Sequence, residues 1–144
     1  MAKLPYLNLM QAITAFQVAE MPLAKAVAII RTGLPTGAFD GVAKVLFLTA
    51  DELAAKLGVS PRTLRDQRKR AVRLSRENTE KLVQIARVHR EARKILTTDE
   101  AVSQWLRSPA PALDGLAPLD MLDTDMGARE VEAVLNGIAY GNVM

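Results

Sequence analysis

Cysteine is absent from this sequence of 144 residues, and histidine occurs once, at position 89. Without cysteine there are no disulfides, thiolate nucleophiles or cysteine-ligated zinc sites. A single histidine also leaves no His pair for metal binding or proton transfer. We therefore expect no metal, no cofactor and no catalytic group, and an enzyme is the least favoured class of function.

Aromatic residues contribute only 4% of the chain, and no apolar run approaches the roughly 18 residues that could span a bilayer. The N-terminus also lacks the basic, apolar and small-residue succession of a signal peptide. The composition favours helices, since strands prefer aromatic and β-branched side chains. We predict an all-α cytoplasmic protein that does not contact membranes.

The net charge of +3 conceals an asymmetry along the chain. Residues 1–55 carry balanced charge, residues 56–94 carry 13 basic and 4 acidic residues, and residues 95–144 carry 2 basic and 8 acidic residues. A basic middle suits a polyanion, whereas an acidic end suits solvent or a basic protein partner. The pattern suggests two functions in series.

Apolar periodicity and capping residues together predict a series of helices. Thr49 and Glu52 form a capping box, and Gly33 precedes Pro35 in a stretch that ends a helix. The predicted helices cover 7–30 with a break at Pro22, 37–48, 50–57, a segment starting at Pro61, 77–96 capped by Ser75, 100–106 headed by Thr98, a short turn at 118–122, and a last helix from 127 or 128 to 138.

The stretch DELAAKLGVSPRTLRDQRKR, residues 51–70, fits a helix-turn-helix. Gly58 suits the turn, and Ser60 with Pro61 suits the start of the second helix. A small residue, Ala54, fits the helix crossing. The inward positions are predicted to be Leu53, Leu57, Val59 and Leu64.

The second helix of this motif would enter the major groove of DNA. Near its start, side chains that could meet base edges are Arg62, Thr63, Arg65, Asp66 and Gln67. Further along, side chains that could neutralise phosphates are Arg68, Lys69, Arg70, Arg73 and Arg76. The alternative interpretation is that these charges form the solvated face of an ordinary helical bundle.

Three other features of the sequence have a structural explanation that is favoured over a functional site. Apart from Glu91, no Asp, Glu or Cys lies at ligand spacing from His89, so a surface or hydrogen-bonded histidine is expected. Asp120, Asp123 and Asp125 do not follow the spacing of a calcium loop, so caps and surface charge are expected. Trp105 is expected to be a core residue, and the alternative is an exposed anchor for a partner.

The C-terminal half contains a spaced pattern of residues that consists of Glu100, Ala101, Trp105, Leu106, Pro109, Leu113, Gly115, Pro118, Leu119, Leu122, Thr124, Gly127, Val131, Leu135, Ile138 and Gly141. This pattern resembles that of the Xre/MbcA/ParS-like antitoxins. Residues 33–35 and 48–64 resemble the Xre-like helix-turn-helix of the same proteins. The sequence departs from the family at residues 95–97, where an aromatic residue followed by glycine is common.

The resemblance implies an N-terminal Xre-like helix-turn-helix domain, residues 1–76, followed by a small helical toxin-binding domain, residues 77–144. It implies a partner that is a RES-domain toxin, which consumes NAD, and autoregulation at operator DNA. The segment proposed to plug the toxin's active-site entrance is Tyr140, Gly141, Asn142, Val143 and Met144. A homodimer is expected, because helix-turn-helix proteins bind paired half-sites. The alternative function is that of a stand-alone helix-turn-helix regulator of transcription.

Overall fold

The computed structural model of the chain describes residues 13–70 and 72–140, and within them the architecture is all-α. The helices are α1 (Ala15–Ala19), α2 (Leu23–Thr32), α3 (Gly37–Val45), α4 (Ala50–Lys56), α5 (Pro61–Arg70), α6 (Arg76–Ile95), α7 (Asp99–Arg107) and α8 (Asp125–Ala139). Two short 3-10 helices, Pro111–Leu113 and Pro118–Met121, join α7 to α8. In this part of the chain the β pairing is one isolated bridge, between Pro35 and Arg73.

Hydroxyl side chains begin most of these helices by accepting a hydrogen bond from a backbone N–H of the first turn. Thr49 and Glu52 form the predicted capping box, and Ser75 and Thr98 cap α6 and α7 as predicted. Thr124 caps α8 in the same way. Such caps satisfy N–H groups that have no partner inside the helix.

Most predicted helix boundaries agree with the structure to within a few residues, with three corrections. Ile13 and Thr14 are not helical and Thr14 is the N-cap of α1, so the helix predicted from residue 7 does not include them, and residues 7–12 lie outside the described residues. The last helix begins at Asp125 rather than at residue 127 or 128, because Thr124 is its N-cap. Helix α3 ends at Val45 rather than at Leu48. The sequence also gave no prediction for the 3-10 turn at Pro111–Leu113.

Helix α6 is the centre of the fold. It packs against α1, α2 and α3, which precede it in the sequence, and against α7 and α8, which follow it. The predicted inward stripe is fully buried and consists of Leu82, Ile85, Val88 and Ala92. One long helix therefore carries apolar contacts to both halves, and the division of the chain at residues 76 and 77 stays a prediction.

Candidate nucleic-acid interface and toxin-binding domain

The helix-turn-helix is built as its sequence predicts. Gly58, between α4 and α5, has φ +69°, a left-handed conformation that glycine adopts without a Cβ penalty. Ser60 caps α5, because its hydroxyl accepts from the Thr63 N–H at 3.4 Å. The predicted inward positions are all buried: Leu53, Ala54, Leu57, Val59 and Leu64.

Helix α5 presents almost all of its length to solvent. Leu64 is its buried residue, and Arg62 and Thr63 at its start are exposed. Lys69 and Arg70 at its end are exposed as well. This surface has the charge and the helical form required to lie in a major groove.

Acidic residues from the preceding helices pair with two of the predicted DNA-contacting arginines. Arg68 Nη2 lies 2.6 Å from Asp40 Oδ1 of α3, and Arg65 Nη1 lies 3.7 Å from Asp51 Oδ2 of α4. Both arginine side chains remain partly exposed. The pairs hold the guanidinium groups beside the exposed surface of α5, with part of their charge already offset.

Gln67 and Arg73 are less accessible than the other predicted contacts. Gln67 is half-buried, and its Oε1 is buried without a hydrogen-bond partner among the described residues. Arg73 is half-buried and donates from Nη1 to the Gly33 carbonyl oxygen at 3.0 Å. Their roles in DNA contact, like those of the other predicted residues, stay predictions.

Hydrogen bonds join the chain after α5 to the turn that follows α2. The Leu74 N–H donates to the Leu34 carbonyl at 2.8 Å, and the Leu34 N–H donates to the buried Thr79 hydroxyl at 3.0 Å. Gly33 has φ +94°, and a Cβ there would overlap the Leu74 carbonyl oxygen. This junction fixes the end of α5 relative to α6.

The basic residues of α6 make a different set of contacts. Arg90 Nη1 donates to the Ala19 carbonyl at 2.9 Å, and Lys81 Nζ donates to the Leu57 carbonyl at 3.0 Å. Arg87 pairs with Glu132 of α8 at 3.4 Å. These cations bind other parts of the same chain, so the basic middle of the sequence is not one continuous DNA surface.

His89 corrects the expectation of a surface or hydrogen-bonded histidine. It is 5% exposed, its ring meets Phe16 edge to face, and its Nε2 has no hydrogen-bond partner among the described residues. Asp99 Oδ1 lies 3.5 Å from Nε2. Burial lowers the pKa of His89 below its usual value, an effect that the Asp99 carboxylate opposes and Arg93 reinforces.

The acidic C-terminal half consists of α7, the two 3-10 helices and α8. Trp105 is half-buried and packs against the core, and Leu106 and Val131 are fully buried. Asp120 pairs with Lys56 of α4 at 2.6 Å, and Asp125 lies in the first turn of α8. The expectation of surface charge is met by Asp120, which is partly exposed, whereas the cap of α8 is Thr124 rather than an aspartate.

The segment predicted to plug the toxin begins where α8 ends. Tyr140, the C-cap of α8, is 80% exposed. The rest of the predicted segment, residues 141–144, lies outside the described residues. Tyr140 is therefore the one member of this segment whose position is known.

Several residues that shape these surfaces gave no sequence signal of their own. Asp40 and Asp51 lie 28 and 14 residues before the arginines that they pair with, so helical spacing does not connect them. Phe47 was also not predicted as a functional residue, although its φ of +58° lies in a region that is usually reserved for glycine. A phenylalanine directly after a short helix, where glycine is common, is the clue that could have found it.

Two negative findings apply to the part of the chain that the structure describes. No group of three His, Asp or Glu side chains there is placed to hold a metal ion. No helix there is long and apolar enough to cross a membrane.

Comparison with known proteins assigns both halves. Residues 25–87 match the family described as the antitoxin Xre-like helix-turn-helix domain, and residues 91–141 match the antitoxin Xre/MbcA/ParS C-terminal toxin-binding domain. A stretch of 42 residues is 48% identical to the Prs ADP-ribosylating antitoxin of Sphingobium sp. (strain YBL2), and covers 29% of this chain and 26% of that relative. The two family matches together extend over most of the sequence. The chain belongs to the Xre/MbcA/ParS-like antitoxins.

Proposed function

We propose that this chain neutralises a RES-domain toxin that consumes NAD, and that it binds operator DNA to regulate its own operon. The observation that carries the proposal is the pairing of an exposed basic helix, α5, with a domain matched to toxin binding, residues 91–141. Helices α7 and α8 of that domain pack on α6, whereas α5 packs on α4, so one chain can hold DNA and a protein partner at different surfaces. Such a protein would act in the cytoplasm, as a regulator without catalytic activity of its own.

DNA binding would use the exposed face of α5. Arg62, Thr63, Arg65 and Gln67 would read base edges, and Arg68, Lys69, Arg70 and Arg73 would contact phosphates. A homodimer would present two copies of α5 to half-sites about 34 Å apart. Helix α2 supports a dimer contact, since it is apolar yet buries only Ile29 and leaves Leu23 81% exposed.

Toxin neutralisation would use the end of α8. Tyr140 projects from the helix terminus and starts the segment Tyr140–Met144, which would extend into the active-site entrance of the toxin. The acidic charge of residues 95–144 would guide a basic partner surface during association. Blocking the entrance requires no chemistry from the antitoxin itself.

The relative's name, Prs ADP-ribosylating antitoxin, bears on the chemistry of the toxin. ADP-ribosylation draws its ADP-ribose from NAD, so transfer to a protein and simple degradation both consume NAD. The first experiment is therefore co-purification of this chain with the protein encoded beside it. NAD loss and labelling of added protein should be measured for the partner alone and in the complex.

A stable complex in which NAD consumption is suppressed is the expected result. A neighbouring protein that does not associate would contradict toxin neutralisation and would favour the stand-alone regulator, which the basic α5 supports equally well. Labelled protein, rather than free ADP-ribose, would replace NAD degradation with ADP-ribosyl transfer as the toxin's activity.

Removal of residues 140–144 tests the plug. The shortened chain should lose neutralisation and keep DNA binding, because α5 and α8 form separate surfaces. The matched control is Leu116→Ala, which removes an exposed apolar side chain of 52% exposure from the same domain. Full neutralisation by the shortened chain would rule out a plug formed by this segment.

A further inference from the structure

Helix α3 ends in a motif that ordinarily uses glycine. The Phe47 N–H donates to the Lys44 carbonyl at 3.1 Å, and the Leu48 N–H donates to the Ala43 carbonyl at 2.9 Å. This pair of hydrogen bonds is a Schellman motif, whose left-handed residue is usually glycine. Phe47 takes that place with φ +58°, a conformation that is unfavourable for a residue with a Cβ.

Burial of the Phe47 ring is too small to offset the free-energy cost of this backbone conformation. It is 54% exposed, whereas the next residue, Leu48, packs against the core. Strained backbone combined with an exposed aromatic side chain is typical of functional surfaces, where another molecule supplies the missing contacts. The residue is therefore better explained by binding than by stability.

Phe47 stands at the edge of a groove of about 370 Å³ between the end of α3 and α7. The groove is lined by Phe47, Glu100, Ser103, Gln104, Arg107 and Ser108. Every lining residue except Phe47 belongs to the stretch matched to the toxin-binding domain, residues 91–141. The groove is thus continuous with the part of the chain already assigned to toxin contact.

The walls of the groove are fixed in place by side chains that bind the end of α3. Arg107 Nη2 donates to the Leu46 carbonyl and, at 2.6 Å, to the Phe47 carbonyl. The buried Ser103 hydroxyl donates to the Leu46 carbonyl at 2.8 Å. A site held in this way loses little conformational freedom when a partner binds.

The charge at the groove favours a basic partner. The lining contains one cation, Arg107, which interacts electrostatically with the Glu52 carboxylate, and one anion, Glu100, which is exposed and forms no ion pair among the described residues. Residues 95–144, the stretch that supplies five of the six lining residues, have a net charge of −6. A protein segment with an apolar side chain beside a lysine or arginine fits both features.

We propose that Phe47 and this groove form a second docking point for the toxin, which takes an apolar side chain flanked by a basic residue. This inference rests on the proposed function, since it requires a toxin partner. It assigns part of the toxin contact to a residue of the helix-turn-helix half, remote in sequence from the segment Tyr140–Met144. The toxin would then contact both halves of the antitoxin.

The test replaces Phe47 with residues suited to its backbone conformation. Phe47→Gly and Phe47→Asn both tolerate φ +58°, so the variants should melt at the same temperature as the native chain or higher. Their dissociation constants for the toxin encoded beside the chain should rise about tenfold or more. Affinity for operator DNA should stay unchanged.

The matched control is Leu116→Ala, which removes an exposed apolar side chain without changing the groove. Native affinity for the toxin in both Phe47 variants would overturn the docking point and leave toxin neutralisation standing. Weakened DNA binding with native toxin affinity would assign Phe47 to the DNA surface and overturn the proposal in the same way. Failure of the native chain to bind the toxin would overturn the proposed function itself.

Glu100→Gln gives an independent measure of the same surface. Loss of its charge should weaken toxin binding, and the difference from the native chain should shrink as salt concentration rises. An effect that does not depend on salt would contradict the charge pairing proposed at the groove.

Discussion

Helices α5 and α6 are both basic, yet their cations do different things. Helix α5 buries one residue and exposes its arginines and lysine. Helix α6 buries nine of its 20 residues, and cations beside this buried face bind other parts of the chain. Arg90 and Lys81 of α6 donate to backbone carbonyls far away in sequence. Charge density along a sequence therefore identifies a basic region, and packing decides which of its cations are free for DNA.

The junction between the two helices should be the most sensitive point of this arrangement. Gly33→Ala places a Cβ against the Leu74 carbonyl and strains a backbone at φ +94°. We expect a loss of about 3 kcal/mol in the free energy of unfolding, measured by urea denaturation. Gly37→Ala is the control, because a Cβ there has open space and should change stability by less than about 1 kcal/mol. Equal stability of the two variants would show that the junction does not need glycine.

Two exposed lysines, one on each helix, test whether α5 contacts DNA and α6 does not. Lys69 of α5 and Lys94 of α6 are both exposed, and Lys94 already pairs with Glu91 at 3.1 Å. Lys69→Ala should weaken DNA binding several-fold and reduce the salt slope by about 1. Lys94→Ala should leave both unchanged. Equal losses, measured by titrating operator DNA at several salt concentrations, would mean that α6 also contacts DNA.

The buried imidazole of α6 should give the chain a pH dependence that α5 lacks. Because burial lowers the pKa of His89, the unfolded chain binds a proton more readily than the folded one. Stability should therefore decrease as the pH falls through about 6.5, the ordinary value of histidine, and level off below the depressed pKa. The groups that face this imidazole are Asp99 from α7, Arg93 from α6 and the Phe16 ring from α1.

His89→Leu removes the titrating group and the unpartnered Nε2 while keeping an apolar side chain in the core. Thermal unfolding between pH 7.5 and pH 5.5 should show a smaller loss of stability for this variant than for the native chain. The same loss in both proteins would place the dependence on other groups.

Local sequence determined much of the fold because its causes lie within a few residues. Capping by Thr49 and Ser75 and the turn at Gly58 depend on neighbouring backbone, and all three were predicted correctly. The apolar stripe of α6 follows from the 3.6-residue period. The caps Thr14 and Thr124 were not predicted, and α8 begins two or three residues before its predicted start as a result of the second.

The sequence by itself determined that this chain is helical, where its helix-turn-helix lies, and which family it resembles. Tertiary structure decided that Asp40 and Asp51 offset Arg68 and Arg65, that the buried His89 Nε2 has no hydrogen-bond partner among the residues that the structure describes, and that Phe47 meets α7 at a groove. Each of these depends on segments brought together by packing from distant parts of the chain. No periodicity or spacing in the sequence records such contacts, because they arise only when the helices have taken their places around α6.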